Sequence, residues 1–346
     1  MRELAFGIVG CGGAAFDVAR ALDTIDGVRL SATHDLNPTL AADLAGRRGA
    51  VVHPSTQAMI SDPAVDIVYV ALPHNLLAQV GLTALAAGKH VLAEKPMGVN
   101  LAEIRALDQS ASERGLRLGV FFELRQTPAI QIAKRLIAGG AIGEIRALRI
   151  QTIIDKPESY WLSGPSGRTV DSWRSSKQRA GGGVVLMNSI HQLDCVRFLT
   201  GLNVTRVAGE VATLIAEVEV EDSASATLRF DNGAIGNLVA SAHSPGAQLQ
   251  ERIEIDGTEG RIDLPDLYGT RDVRLFLRRG WRDHVIGEWI NLPAAPADCF
   301  RAALVGYVEA VRQGSAAPVG PADAIAAMKT VLGLYESTRT GRSIEL

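Results

Sequence analysis

The stretch Gly181–Asp194 reads GGGVVLMNSIHQLD and holds three polar side chains spaced three residues apart, Asn188, His191 and Asp194. Positions three and four apart on a helix share a face, so we expect Asn188 beside His191. An imidazole is suited to proton transfer, whereas an amide can only hydrogen-bond a hydroxyl group. Asp194 is expected either to orient the imidazole or to pair elsewhere in its domain. A lone histidine on an apolar helix can equally be a core residue.

The N-terminal stretch GIVGCGGAA has the residue types that bind a dinucleotide phosphate. A strand precedes it and a helix follows, so Gly10 permits the sharp turn, Gly12 leaves room for a pyrophosphate, and Ala15 lets the helix approach the sheet. Asp35 follows the second strand, where a carboxylate accepts the hydroxyls of the adenosine ribose. The predicted cofactor contacts in this region are Gly10, Gly12, Gly13, Ala14, Ala15 and Asp35.

The acid at position 35 favours NAD as the cofactor. A carboxylate repels the 2′-phosphate of NADP, so Asp35 predicts that NAD binds better. His34 lies beside it, and a charged neighbour would soften the repulsion, so NADP stays possible.

The first third of the chain alternates short apolar runs with helical patterns, from LAFGIVG to LRLGVFF. VDIVYVALP is apolar on both faces, as in a strand that is buried between two layers of helices. This rhythm predicts an α/β fold with a Rossmann-like parallel sheet over residues 1–122.

The order of predicted elements changes in residues 123–346, and this change predicts a second domain of the α+β class. One helix and one strand lead into a loop-rich span, Lys156–Ala180. The three glycines Gly181–Gly183, called here the glycine run, come next, and strands joined by glycine turns follow them. FDNGAIG predicts a tight hairpin, because Asn-Gly tolerates the positive φ angles that a two-residue turn needs. Two helices are predicted near the end.

Composition limits the function further. The 346 residues carry a formal net charge of −3 and include only three cysteines, which are far apart. A nucleic-acid partner would need a basic surface, and a membrane helix would need ~20 consecutive apolar residues, so neither is expected. The scattered cysteines predict no metal site and no disulfide framework, and they favour a cytoplasmic location.

The order of these motifs resembles the Gfo/Idh/MocA family of sugar and polyol oxidoreductases. The matching pieces are GIVGCGGAA, VALPHN, GKHVLAEKP, FFELRQTPA and GGGVVLMNSIHQLD, which cover both domains almost to the end. The resemblance implies a Rossmann-like domain, a C-terminal domain with a large, mostly antiparallel open sheet, and a homodimer or homotetramer.

Within EKP, the resemblance implies that Lys95 is the catalytic lysine, that Glu94 helps to hold the nicotinamide end, and that the Lys95–Pro96 bond is cis. Hydride transfer from a carbinol requires a group that takes the hydroxyl proton. A partly desolvated lysine near a positive nicotinamide has a lowered pKa and suits this role. His191 is expected to share or relay that proton, and which of the two is the formal base stays open.

Other positions match the family only in part. LPHNLL carries cofactor contacts at Leu72, Pro73 and Asn75, but Leu77 stands where many members have a histidine. Met187 stands where the family usually has an aspartate that supports proton transfer.

Two groups of residues are predicted to bind the substrate. Arg125 matches an arginine near the substrate or pyrophosphate, with a structural role as the alternative. In the loop-rich span, aromatic faces suit a pyranose ring and polar side chains suit its hydroxyls. The candidates in this span are Tyr160, Trp161, Trp173 and Arg174, any of which could instead serve packing. Outside the span, Asn188 is the further candidate for binding the substrate.

The sequence therefore predicts an NAD(P)-dependent dehydrogenase of a small carbohydrate-like molecule: a sugar, polyol, inositol or related cyclic alcohol. Two alternatives remain. One is a relative that uses NAD to cleave a glycoside without net oxidation, and the other is a non-catalytic dinucleotide-binding sensor, which the missing acid at position 187 favours.

Overall fold

The computed structural model describes residues 2–247, 250–269 and 271–346, with only the backbone of Gln250. They form two compact units, each discontinuous in sequence. The first unit contains residues up to Glu123, Glu158–Gly181 and Phe300–Ile325, and the second contains Leu124–Pro157, Gly182–Cys299 and Ala326–Leu346. The predicted domain division between residues 122 and 123 stays a prediction, since these units are defined by contacts in space.

The helices of the described residues are α1 Gly13–Leu22, α2 Pro38–Gly46, α3 Thr56–Ile60, α4 His74–Ala86, α5 Leu101–Glu113, α6 Pro128–Ala138, α7 Glu158–Ser163, α8 Lys177–Ala180, α9 Ile190–Thr200, α10 Cys299–Gln313 and α11 Pro321–Thr340. The strands are β1 Leu4–Val9, β2 Val28–His34, β3 Val51–Val52, β4 Ile67–Val70, β5 His90–Glu94, β6 Leu118–Phe121, β7 Ile145–Ile153, β8 Val204–Ala212, β9 Ser223–Phe230, β10 Ile235–Ser241, β11 Gln250–Gly257, β12 Gly260–Leu264, β13 Val273–Leu277, β14 Trp289–Leu292 and β15 Ile344–Glu345. None of the helices described is long and apolar enough to cross a membrane.

The first unit contains a six-stranded sheet in the order β3-β2-β1-β4-β5-β6. All its pairings are parallel, and every residue of β4 is buried, as its unbroken apolar run predicted. Asn37 caps α2 by accepting the Thr39 N–H at 3.1 Å, directly before the proline that begins the helix. The prediction of a Rossmann-like parallel sheet is confirmed.

The second unit contains a nine-stranded sheet in the order β14-β13-β12-β11-β7-β10-β9-β8-β15. Only the β7–β10 pair is parallel among its pairings, so the expected large, mostly antiparallel sheet is confirmed. The turn between β9 and β10 has Gly233 at φ +86° and the Asn232 side chain accepting the Ala234 N–H at 2.9 Å. The hairpin predicted from Asn-Gly is therefore present.

The span Lys156–Ala180 is more regular than the sequence predicted. It contains α7, a 3₁₀ turn at Ser172–Ser175 and α8. The side chain of Asp171 caps the 3₁₀ turn by accepting the Trp173 N–H at 3.0 Å, and Gly181 ends α8 at φ +79°. Elements of one or two turns are too short to show a periodic apolar pattern, which is why the loop prediction was wrong here.

Candidate active site

Gly10 makes the turn after β1 possible. Its φ is +86°, and a Cβ atom there would lie 2.2 Å from the carbonyl oxygen of Ala71, at the end of the neighbouring strand β4. No side chain fits in that space, so this glycine is a structural requirement of the turn.

Gly12 differs from Gly10 because no neighbouring atom requires a glycine there. It precedes α1 with φ −77° and gives the helix no side-chain cap. A Cβ at Gly12 would meet only Thr169 Oγ1, at an ordinary distance of 3.5 Å. The missing side chain therefore leaves space in front of the N–H groups at the start of α1, which is the arrangement that receives a phosphate.

Asp35 directly follows β2, and two backbone N–H groups hold its carboxylate in place. Its carboxylate accepts the N–H groups of Cys11 and Asn37, each at 2.7 Å. The ring of His34 is buried, and its Nδ1 donates to the carbonyl of His53 at 3.0 Å. His34 is thus hydrogen-bonded within the first unit, directly before Asp35 in sequence. Leu36, in contrast, is 94% exposed beside the acid.

Leu72, Pro73 and Asn75 surround the start of α4, which also has no side-chain cap. The Oδ1 atom of Asn75 is buried and has no hydrogen-bond partner among the described residues. A buried amide oxygen without a protein donor is unusual, and it suits a ligand that donates a hydrogen bond. This orphaned oxygen and the open space at Gly12 both fit a bound dinucleotide.

His74 is the first residue of α4 and is buried. Its Nδ1 lies 2.7 Å from the carbonyl oxygen of Ala180, and since a carbonyl only accepts, Nδ1 carries the proton. The ring meets Trp173 edge-on, with centroids 4.7 Å apart. Burial, with Lys95 and Arg174 nearby, lowers the pKa of His74 to about 3, so the ring is neutral at pH 7.

Glu94 and Lys95 lie at the carboxyl end of β5, and both are half-buried. The Lys95–Pro96 peptide bond is cis, as the resemblance implied. The hydroxyl of Tyr69 on β4 donates to Glu94 Oε1. Burial raises the pKa of Glu94, while the charge of Lys95 and the Tyr69 hydrogen bond oppose that rise. The lysine therefore has a carboxyl group next to it that Tyr69 holds in place.

The four loop candidates divide by burial. Tyr160 and Trp161 are buried and meet edge-on, with ring centroids 5.2 Å apart, which is packing geometry. Trp173 and Arg174 stay half-buried, with the guanidinium 4.4 Å above the indole ring. The guanidinium carbon of Arg174 also lies 5.6 Å from the centre of the Tyr160 ring, which joins the two pairs.

The glycine run before His191 is required by close packing. A Cβ at Gly182 would lie 1.9 Å from the hydroxyl of Tyr335, and one at Gly183 would lie 1.9 Å from the carbonyl of Glu221. The buried Glu221 carboxylate accepts the N–H groups of Gly183 at 2.7 Å and Val185 at 3.1 Å, and the Tyr335 hydroxyl at 2.8 Å. Burial raises the pKa of Glu221 despite these bonds.

The segment that carries Asn188 is a π-helical turn, Val185–Ser189, which continues into α9. The sequence predicted an ordinary helix here, and the spacing argument for a shared face does not transfer unchanged to a turn with i→i+5 bonds. Met187 and His191 are buried, whereas Asn188 is the one residue in 182–196 that is not. None of the described residues hydrogen-bonds the Asn188 amide, so this group is available to a ligand.

Arg125 and Asp194 pair with each other inside the second unit. The guanidinium donates through Nε at 2.7 Å and through Nη2 at 2.5 Å, and both side chains are almost fully buried. This geometry favours the structural alternative for Arg125, and for Asp194 it favours pairing within the domain over orienting His191.

Several residues near these groups gave no signal in the sequence. Tyr69 reads as an ordinary strand residue, and Glu221 and Tyr335 are far from the glycine run along the chain. Ser166 and Thr169 approach the phosphate-binding turn from more than a hundred residues away, which no local pattern could have predicted. Among the described residues, no group of three or more His, Cys, Asp or Glu could hold a metal ion.

Comparison with known proteins agrees with this architecture. Residues 4–122 match the family model described as "Oxidoreductase family, NAD-binding Rossmann fold", and residues 130–263 match the "GFO/IDH/MocA C-terminal domain".

The similar proteins include two enzymes and a solved structure. Levoglucosan dehydrogenase of Pseudarthrobacter phenanthrenivorans is 31% identical over 252 residues, which are 66% of this chain and 63% of that protein. 1,5-Anhydro-D-fructose reductase of Ensifer adhaerens is 28% identical over 293 residues, 84% and 83% of the two chains. The structure of levoglucosan dehydrogenase in complex with NADH has a TM-score of 0.89 at 24% identity and covers 99% of each chain. At that identity the likeness shows a shared fold.

Proposed function

The chain belongs to the Gfo/Idh/MocA family of NAD-binding oxidoreductases, and from this premise we propose that it oxidises a carbinol of a sugar, polyol, inositol or related cyclic alcohol. The observation that carries the proposal is the combination, within the first unit, of an open turn after β1 with a lysine directly after β5, two strands along the same sheet. The names of the two similar enzymes support the substrate class.

The residues proposed to hold the dinucleotide come from three places in the first unit. The N–H groups from Gly12 to Ala15 would receive the pyrophosphate, and Asp35 would accept the ribose hydroxyls. Leu72, Pro73 and Asn75, with Glu94, would border the nicotinamide half. We propose NAD as the preferred cofactor, with NADP as a possible second one.

Lys95 and His191 are proposed to manage the hydroxyl proton. The bound nicotinamide supplies the hydride acceptor, so the carbinol carbon loses a hydride and its oxygen loses a proton. A neutral Lys95 amine would take that proton directly, or His191 would take it and pass it on. In either case the products are a ketone or lactone, the reduced cofactor and one released proton.

Asn188, Trp173 and Arg174 are the residues that we propose contact the substrate. Each keeps some exposure, and each offers either hydrogen bonds to hydroxyl groups or an aromatic face. For Tyr160 and Trp161 we propose a supporting role behind Trp173 and Arg174. For Arg125 we propose that the buried pair with Asp194 holds α9, and with it His191, in place.

The decisive experiment follows the absorbance of NADH with a panel of sugars, inositols and sugar acids. We expect turnover with at least one of them, and Lys95→Met should lower kcat by ~10²-fold or more while NAD binding persists. Lys329→Met, on α11, is the matched control and should leave kcat unchanged. Cleavage of a glycoside without accumulation of NADH, or binding of NAD without turnover of any compound, would contradict the proposal.

We also propose a homodimer or homotetramer in the cytoplasm. One face of the nine-stranded sheet exposes apolar side chains, including Ile235, Val239 and Trp289, which suits the pairing of two sheets. All three cysteines are free thiols, as in a reducing compartment. Light scattering coupled to size-exclusion chromatography would measure the number of subunits, and a monomer would contradict the first part.

A further inference from the structure

A second segment borders the phosphate-binding turn. Residues 164–170 belong to the first unit, although they lie far from the turn in sequence. Ser166 Oγ is 2.8 Å from where a Cβ would stand at Gly13, and Thr169 Oγ1 is 3.5 Å from the same point at Gly12. Two hydroxyl groups therefore face the start of α1, where the phosphates of a dinucleotide would lie.

Between these two hydroxyls in sequence, Arg168 reaches across to α1 and α2. Its guanidinium carbon lies 3.6 Å from the centre of the Phe16 ring, and Nη2 donates to Asp43 at 2.5 Å. The Nε atom is buried and has no hydrogen-bond partner among the described residues. The guanidinium is thus held in one place while part of its donor capacity stays unused.

The charges of Arg168 and Asp35 both act on Cys11, which lies between Gly10 and Gly12 in the turn. Asp35 accepts the N–H of Cys11 at 2.7 Å. Burial and the charge of Asp35 raise the pKa of the Cys11 thiol to about 12, whereas Arg168 acts in the opposite direction. Arg168 and Asp35 therefore both lie close enough to Cys11 to act on its thiol.

A cavity borders Arg168 on the side of α1 and α2. Arg168 lines a cavity of about 780 Å³ between α1 and α2, together with Phe16, Asp43 and Arg47. The other charges on its walls are Asp17, which pairs with Arg20 at 3.2 Å, and Asp23, which pairs with Arg48 at 2.6 Å. Arg29, also on the wall, pairs with Glu3 at 3.0 Å. With the Arg168–Asp43 pair, these pairs balance one another, so the excess positive charge on the walls is that of Arg47.

We propose that Arg168 determines cofactor specificity in this chain, by offering its guanidinium to the 2′-phosphate of NADP and so offsetting the repulsion from Asp35. Guanidinium groups bind phosphate through two parallel hydrogen bonds, and the pair with Asp43 occupies only part of that capacity. Asp43 competes with the phosphate and therefore sets how well NADP binds. The inference rests on the proposed dinucleotide-dependent function, but it concerns binding alone.

Fluorescence titration with NADH and NADPH, without substrate, tests the proposal. We expect Arg168→Gln to weaken NADPH binding by about tenfold or more and NADH binding by less than about twofold, because a hydrogen bond to a charged group is lost only with NADPH. Asp43→Asn should tighten NADPH binding and leave NADH unchanged. Arg47→Gln, an exposed cation of the same cavity, is the matched control and should change the NADPH affinity far less than Arg168→Gln does.

Two further measurements keep the result interpretable. Thermal unfolding without cofactor reports whether Arg168→Gln is folded, and Arg168→Lys, which keeps the charge, should retain part of the NADPH affinity. Equal losses for NADH and NADPH in Arg168→Gln, or equal NADPH affinity in the wild type and Arg168→Gln, would overturn the proposal. A substrate panel that fails would count against the proposed dehydrogenase activity and leave this binding result untouched.

Discussion

Arg125 and Asp194 form a buried two-point ion pair inside the second unit, with donor–acceptor distances of 2.7 and 2.5 Å. Asp194 lies on α9, and Arg125 lies in the 3₁₀ turn before α6. The pair therefore ties the 3₁₀ turn before α6 to the middle of α9, the helix that carries His191.

Removing one partner of this pair should be costly. Asp194→Asn leaves a buried guanidinium without its counter-charge, and we expect the free energy of unfolding to fall by ~3–5 kcal/mol in a denaturant titration. The double variant Arg125→Met with Asp194→Leu should recover much of that loss. Glu336→Gln, which breaks the exposed pair with Arg339, is the control and should hardly move the unfolding midpoint. A loss in Asp194→Asn no larger than in the control would refute the assignment of a stabilising role.

Substitution by alanine should have different effects at Gly10 and at Gly12, which lie in the same turn. Gly10→Ala places a Cβ 2.2 Å from the Ala71 carbonyl in a residue with φ +86°, so the backbone conformation alone costs ~1–2 kcal/mol and the clash adds to it. Gly12→Ala meets only Thr169 Oγ1, at 3.5 Å, so it should fold normally. It should nevertheless bind NADH about tenfold more weakly or worse, because the methyl group occupies the phosphate space.

Thermal unfolding without cofactor and NADH titration separate the two effects. Normal NADH binding in a stable Gly12→Ala protein would show that the phosphate does not lie at this position.

Protonation of His74 should destabilise the first unit. The unfolded chain takes up this proton near pH 6.5, whereas the folded chain does so only near pH 3. The free energy of unfolding should therefore fall as the pH is lowered through this window, by up to ~1.4 kcal/mol for each pH unit. His74→Gln can still donate to the Ala180 carbonyl but does not titrate, so its stability should depend less on pH. Denaturant titrations between pH 7 and pH 4 measure the difference, and parallel curves for the two proteins would contradict the expectation.

The half-buried amide of Asn188 should matter for substrate binding and hardly at all for folding. We expect Asn188→Ala to raise KM about fivefold, equivalent to ~1 kcal/mol for one hydrogen bond, with unchanged stability. Ser189→Ala is the matched control, because the Ser189 hydroxyl is buried and lies 2.9 Å from Thr152 Oγ1. That control should lose stability and keep its KM. An unchanged KM in Asn188→Ala would remove Asn188 from the proposed site.

Local patterns alone were sufficient for most of the longer elements and for the glycine turn after β1. The apolar run of β4, the Asn-Pro start of α2, the Asn-Gly hairpin and the spacing of Gly10, Gly12 and Asp35 each arise from interactions between residues near one another in sequence, or from a single strand–turn–helix unit. Such features are visible in sequence because backbone sterics and burial act over a few residues.

Long-range partners were decided only by the tertiary structure. No local sequence pattern indicates that Arg125 pairs with Asp194, or that Arg168 contacts Phe16 and Asp43. The π-helical turn at Val185–Ser189 likewise begins where Glu221 and Tyr335, distant in sequence, hold the glycine run. Charge pairing and close packing depend on which surfaces meet after folding. The sequence by itself therefore determined which chemistry the chain can offer, and the tertiary structure decided which of its charged side chains are committed to structure and which remain available to a ligand.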